Sequence, residues 1–293
     1  MSTKKILCPV DFSAGSQRAM QVAVRLAGDM DAELVLVHAW YVPASVYPSE
    51  EPLLPQLVQS VSDEAARGLD DAVREATALG ARRVTWKLLH GVPWRAIVDA
   101  LDEPAFELAV IGTHGRTGLS RFLLGSVAEK VVRHAPCSVL AVRTEGEVGS
   151  FTHALVPVDF SDGARHAIDR AAELVRPGGA GITLLHIIEA PVSYSGELPD
   201  PELLRELDRR GAESLERTAT ELRSRVTVPV TARSRVGWPG AEILAALDHD
   251  PTIDLIVMGS HGRTGIKRVL LGSVAEKVVR HARCPVLVAR QRE

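Results

Sequence analysis

The chain contains itself twice. Residues 112–143, GTHGRTGLSRFLLGSVAEKVVRHAPCSVLAVR, return at 259–290 as GSHGRTGIKRVLLGSVAEKVVRHARCPVLVAR, 147 positions later in a 293-residue chain. Roughly three-quarters of these positions are identical, and the offset is half the length, far longer than a solenoid repeat. Looser echoes precede it. Pro9-Val10-Asp11-Phe12-Ser13 returns as Pro157-Val158-Asp159-Phe160-Ser161, His38 as His186, and Gly91-Val92-Pro93 as Gly237-Trp238-Pro239. Each copy is therefore a whole domain, as the length alone suggests. The expected division is a domain over 1–144, a linker over 145–151 with Gly and Glu in linker style, and a domain over 152–293.

Within each copy, strand-like and helix-like segments alternate. Ile6–Val10 is a short apolar run followed by Ser13, a helix N-cap candidate, and Ala19, Ala23, Leu26 and Ala27 then recur at helical spacing. Leu34–His38 is a continuous apolar run, as in a strand covered on both faces. A second helix carries Ala65, Leu69, Ala72, Val73, Ala76 and Leu79 on one stripe, and Val84–Leu89 is a third strand. Pro93 suits the first turn of a third helix. Leu108–Ile111, Ser126–His134 and Val139–Val142 complete the copy as strand, helix and strand; the last strand of the second half is Val286–Ala289. Strands separated by helices imply a parallel sheet with right-handed crossovers, so the chain reads as two α/β domains. At 46% hydrophobic and 24% charged residues, both halves can build real cores.

In an open doubly wound sheet of order 3-2-1-4-5, ligands sit where strands one and four end. Strand one ends at Pro9-Val10-Asp11. Strand four ends at Gly112-Thr113-His114-Gly115, and ten residues later Gly125-Ser126 opens a helix. Glycines allow close backbone approach and left-handed conformations. A helix N-terminus offers unpaired N–H groups and a positive dipole end. A carboxylate opposite such a cradle suits a nucleotide: Asp11 to accept ribose hydroxyls, with Gly115, Gly125 and Ser126 at the phosphates.

The pattern G-x2-G-x9-G-[ST] occurs as Gly112, Gly115, Gly125, Ser126 and again as Gly259, Gly262, Gly272, Ser273. With the P-V-D-F-S strand ending, it resembles the ATP-binding signature of tandem-domain universal stress proteins, over nearly all of both halves. That resemblance implies two flavodoxin-like domains (the adenine nucleotide α hydrolase-like type), each a five-stranded parallel sheet of order 3-2-1-4-5 with helices on both faces. It implies ATP in each cleft, with Mg²⁺ as its companion. Carried over by motif, the first site comprises Pro9, Val10, Asp11, Ala39, Ile111, Gly112, Gly115, Arg116, Gly125, Ser126 and Val127. The second comprises Pro157, Val158, Asp159, Ile187, Met258, Gly259, Gly262, Arg263, Gly272, Ser273 and Val274. It further implies that the two domains pair within the chain through their fifth strands, removing two exposed sheet edges. Pairing of whole chains as a homodimer is left open, as is a protein partner.

Simpler roles stand beside these. Asp11 and Asp159 are also placed to help cap the first helix. Ser126 with Glu129, and Ser273 with Glu276, have the S-x-x-E spacing of a capping box. Arg116 and Arg263 suit phosphates or solvent equally, His114 and His261 can orient the glycine loop, and His38 and His186 read as packing histidines. Cys8, Cys137 and Cys284 form neither a disulfide framework nor a metal pattern, which fits a reduced cytoplasm. The net charge of −3 gives no handle for nucleic acid, and no apolar run reaches the roughly 18 residues of a membrane helix. There is no G-x4-G-K-[ST] phosphate loop, no H-E-x-x-H, and no G-x-S-x-G elbow. The favoured expectation is a nucleotide-dependent signalling or stress-response module with little or no hydrolysis. The alternatives are a slow Mg²⁺-dependent ATPase and a scaffold that uses no nucleotide.

Overall fold

The structure is a computed structural model and describes residues 4–41, 54–113, 124–145, 149–189, 201–262 and 271–292. The chain divides into two compact units, Met1–Val148 and Gly149–Glu293. The first unit runs β1 (Lys5–Pro9), α1 (Ala14–Asp29), β2 (Glu33–Trp40), α2 (Leu54–Ala78), β3 (Val84–His90), α3 (Pro93–Leu101), β4 (Phe106–Gly112), α4 (Ser126–His134) and β5 (Ser138–Val142). The second repeats it as β6 (His153–Pro157), α5 (Asp162–Leu174), β7 (Gly181–Ile188), α6 (Pro201–Arg223), β8 (Val230–Val236), α7 (Pro239–His249), β9 (Leu255–Gly259), α8 (Ser273–His281) and β10 (Val286–Ala289).

Within the first unit the strand order is β3-β2-β1-β4-β5, and within the second β8-β7-β6-β9-β10. Every pairing inside a unit is parallel. Each unit is thus the α/β architecture of order 3-2-1-4-5. The direction of travel across the sheet reverses after β3, so right-handed crossovers put α1 and α2 on one face and α3 and α4 on the other. The α1–α2 and α3–α4 contacts agree with that arrangement.

Sequence accounts for which strands lie inside. Leu34–Val37 of β2 and Leu108–Ile111 of β4 are apolar on both faces and at most 4% exposed, whereas the edge strand β3 alternates half-buried and exposed residues. Phe106 and Leu69 are fully buried. The stripe read from α2 is buried at Ala65, Leu69, Ala72 and Ala76, half-buried at Val73, and fails at Leu79. That residue lies beyond the helix end at Ala78 and is 48% exposed. The chain turns there through Gly80 (φ 101°), which takes the leucine off the buried face.

Candidate functional site

The turn that leaves β6 is held from three directions. Ser161 is the N-cap of α5, its Oγ accepting from the N–H of Ala164 at 3.2 Å. Asp159 Oδ1 in turn accepts from Ser161 N at 3.0 Å and from Ser161 Oγ at 2.6 Å. The residue between them, Phe160, has φ 65°. A bulky non-glycine residue in the left-handed region costs about 1–3 kcal/mol and persists only where its surroundings hold it. Its ring packs on His186, centroids 4.7 Å apart. His186 Nδ1 lies 2.7 Å from the carbonyl oxygen of Val158. A carbonyl can only accept, so Nδ1 carries the proton.

The first unit builds the same turn from its own residues. Asp11 Oδ1 accepts from Ser13 N and Oγ at 3.1 and 2.5 Å, and Phe12 has φ 63°. The Phe12 ring stacks on His38 at 4.8 Å, and His38 Nδ1 meets Val10 O at 2.7 Å. Asp11 and Asp159 therefore do help to organise the helix start, through the capping serines. The histidines, read as packing residues, also clamp the turn that carries the carboxylate. The left-handed Phe12 and Phe160 were not legible, because phenylalanine gives no signal for that conformation.

Opposite this turn, β9 ends at Gly259 and α8 begins. The helix N-cap is Gly272 (φ −62°, ψ 147°), and no side chain caps it. In the first unit Gly125 is the N-cap of α4, also without a side-chain bond. The capping-box reading is thus corrected: Ser126 and Ser273 are the first helical residues, one position too late to cap. Glu129 and Glu276 pair with Arg133 and Arg280 at 3.2 and 3.3 Å. In neither helix does the N-cap residue supply a side-chain bond to the first-turn N–H groups.

The motif glycines are required for space. Gly112, Gly125, Gly259, Gly262 and Gly272 are absent from the positive-φ residues of the chain. A Cβ on Gly112 would lie 2.6 Å from Gly15 O, so β4 meets the first turn of α1 backbone to backbone. A Cβ on Gly262 would lie 2.8 Å from Asp159 Oδ2.

In the second unit these elements enclose a cavity of about 740 Å³, within the usual size of small-molecule sites. Pro157, Val158, Asp159, Ile187, Met258, Gly259, Gly262, Gly272, Ser273 and Val274 all line it. Arg263 lies outside the described residues. In the first unit, Pro9 ends β1 with Val10 and Asp11 following, and Ala39 lies in β2. Ile111 and Gly112 end β4, and Gly125, Ser126 and Val127 open α4. His114, Gly115 and Arg116 lie outside the described residues, as does most of the proline-rich stretch after β2.

Sequence reading missed one whole wall of the cavity. Leu207, Arg210, Gly211 and Ser214 of α6 line it at helical spacing, with Pro239 and Ile243 of α7. The sequence shows that α6 is amphipathic but not which face meets a cleft. Arg210 Nε pairs with Glu206 Oε1 at 2.5 Å. Between the glycines, Ser260 Oγ lies 3.0 Å from His261 Nδ1. Burial, followed by the charge of Arg290, pushes the His261 imidazole below its ordinary range, favouring the neutral ring. Among the described residues no group of three or more His, Cys, Asp or Glu side chains could hold a metal ion. No described helix is long and apolar enough to cross a membrane.

The model of the universal stress protein family matches this chain twice, over residues 2–143 and 150–290. The chain belongs to the universal stress protein family. A universal stress protein of Mycolicibacterium smegmatis is 27% identical over 296 residues, spanning 98% of this chain and 97% of that one. One from Mycobacterium tuberculosis is 30% identical over 243 residues, 78% of each chain. Among solved structures, a universal stress protein from Archaeoglobus fulgidus superposes with a TM-score of 0.73 at 22% identity, covering 99% of both chains, and shows the shared fold. Two universal stress protein domains in tandem thus account for the internal duplication.

Proposed function

We propose that this universal stress protein is an ATP-binding stress-response module whose two clefts hold nucleotide with little or no hydrolysis. The observation that carries the reading is the set of ten residues gathered around one cavity of about 740 Å³. In it a fixed carboxylate, Asp159, is set across from the uncapped N-terminus of α8. A carboxylate accepts from ribose hydroxyls; first-turn N–H groups and the helix dipole attract phosphate oxygens. The donor set fits the group: Gly272 offers no side chain to cap the helix start, and Gly262 adds no Cβ against Asp159 Oδ2. Charge-assisted hydrogen bonds contribute about 1.5–3 kcal/mol each, so three or four can support micromolar affinity, about 8 kcal/mol.

On this reading Asp159 positions the ribose, Gly262, Gly272, Ser273 and Val274 hold the phosphates, and Val158, Ile187 and Met258 shield the base from water. The first unit assigns the same roles to Asp11, Gly115, Gly125, Ser126, Val127, Val10, Ala39 and Ile111, with Pro9 and Pro157 shaping the strand ends. Gly112 and Gly259 close the packing beneath, and Arg116 and Arg263 lie in the phosphate loops. Mg²⁺ enters as a companion of the phosphates, which supply its oxygens. Domain limits at 1–144 and 152–293, intramolecular pairing of the fifth strands, and a cytoplasmic location belong to the same proposal. Charged replacements at Leu140 and Leu287 test the strand pairing and should lower thermal stability.

Titration calorimetry of the full chain with Mg-ATP tests the binding itself. Micromolar binding that falls at least tenfold in the Asp11→Ala, Asp159→Ala double variant is expected. No heat at millimolar Mg-ATP contradicts it and leaves the scaffold reading.

A further inference from the structure

Three observations converge on one edge of the cavity in the second unit. The Val158 carbonyl holds a proton of His186 on Nδ1, at 2.7 Å, which leaves Nε2 as the acceptor position of the ring. His186 lines the cavity, and Nε2 makes no hydrogen bond among the described residues. The imidazole packs against α6 where the helix has no side chain: a Cβ on Gly211 would lie 2.8 Å from Cδ2 and 3.1 Å from Nε2 of His186. The first unit fills the corresponding place with a different ring. There the Phe12 ring turns against α2, 2.7 Å from where a Cβ on Gly68 would be. The ring pairs reflect the difference, stacked at 26° for Phe12–His38 and tilted at 45° for Phe160–His186.

We propose that His186 is a base-reading residue of the second cleft, its Nε2 accepting a hydrogen bond from the 6-amino group of a bound purine. The inference rests on the nucleotide reading above and adds a determinant of which nucleotide is held. The ring is oriented in advance, because the Val158 carbonyl fixes both its tautomer and its position. A 6-oxo purine places an acceptor against the same lone pair and leaves it unsatisfied. A site built to hydrogen-bond one ligand group rejects the analogue that lacks it more strongly than shape alone can.

The test uses the full chain carrying Asp11→Ala, so that the second cleft dominates, titrated with Mg-ATP and Mg-ITP. The expected preference for ATP is about tenfold or more, the size of one well-made hydrogen bond. His186→Asn keeps an amide N–H where Nδ1 stood but removes Nε2. It should bring the two affinities within about threefold by weakening ATP. A parental ratio in that variant overturns the assignment. Should that variant fail to fold, imidazole ¹⁵N shifts of the parent chain decide: the Nε2 signal of His186 should move with ATP and not with ITP. Equal movement, or none, overturns the assignment. Absence of any nucleotide binding by the unaltered chain overturns the nucleotide reading itself; ATP binding with an unaltered ratio overturns only the role of His186.

Discussion

Gly262 lies against the carboxylate of Asp159, so close that a Cβ there would begin 2.8 Å from Oδ2. The other oxygen, Oδ1, is tied to Ser161 through N at 3.0 Å and Oγ at 2.6 Å. The carboxylate is therefore pinned on one side and shouldered on the other. Gly262→Ala should displace Oδ2 without straining the backbone, because Gly262 is not in the left-handed region. The expected result is about tenfold weaker Mg-ATP binding at the second site, about 1.4 kcal/mol, with the melting temperature little changed. Titration and scanning calorimetry on the same sample check both halves.

Ser161 serves two groups at once, the start of α5 and Asp159. Ser161→Ala removes the N-cap bond to Ala164 and should cost about 1 kcal/mol, lowering the melting temperature by about 2–4 °C. It also frees Asp159 Oδ1, so nucleotide affinity should fall with stability. Ser13→Ala should do the same in the first unit, where Ser13 Oγ accepts from Ser16 N at 3.3 Å. Scanning calorimetry and Mg-ATP titration of each variant read the two effects.

His153, at the opposite end of β6 from the cleft, gives the second unit a pH dependence. Its Nδ1 lies 2.8 Å from Thr252 Oγ1 and its Nε2 2.9 Å from Thr183 Oγ1, and the residue is 8% exposed. Burial pushes its pKa below 6.5; Asp250 and Asp254 oppose this, and Arg233 adds to it. The unfolded chain then binds more protons than the folded one between the lowered value and about 6.5, so stability rises with pH across that window. It is full above about 6.5 and is lost as pH falls through the folded value. Melting curves from pH 7.5 to 5 should drop, and His153→Gln should flatten the drop. An unchanged slope in that variant would show that His153 is not its source.

Hydrolysis should be slow. Among the described residues at the cavity the cation, Arg210, is already paired with Glu206, whereas fast phosphoryl transfer uses a cationic clamp on the terminal phosphate together with a positioned base. Turnover of Mg-ATP should stay below about 1 s⁻¹. A faster rate that disappears in the Asp11→Ala, Asp159→Ala double variant would show that the clefts are enzymatic.

The order of elements was legible because apolar runs such as Leu34–Val37 and Leu108–Ile111 are strands buried on both faces. Ser126–His134 and Val286–Ala289 match the observed elements end to end. Ten residues that line the cavity of the second unit were named beforehand, from strand ends, a helix start and the family resemblance. What the sequence hid depends on tertiary geometry. Phe12 and Phe160 take a left-handed backbone because a carboxylate, a cap and a histidine surround them. Leu207, Arg210 and Ser214 reach the cavity because of the way α6 lies along β7 and β8. Leu79 belongs to the helical pattern but follows the last helical residue.

The nucleotide content of the purified, unaltered chain tests the central claim most directly. The protein is denatured, the supernatant separated, and ATP, ADP and AMP are quantified per chain. Two competent clefts with slow hydrolysis predict close to two ATP per chain. A chain that carries no nucleotide and takes up none when incubated with Mg-ATP would contradict the account.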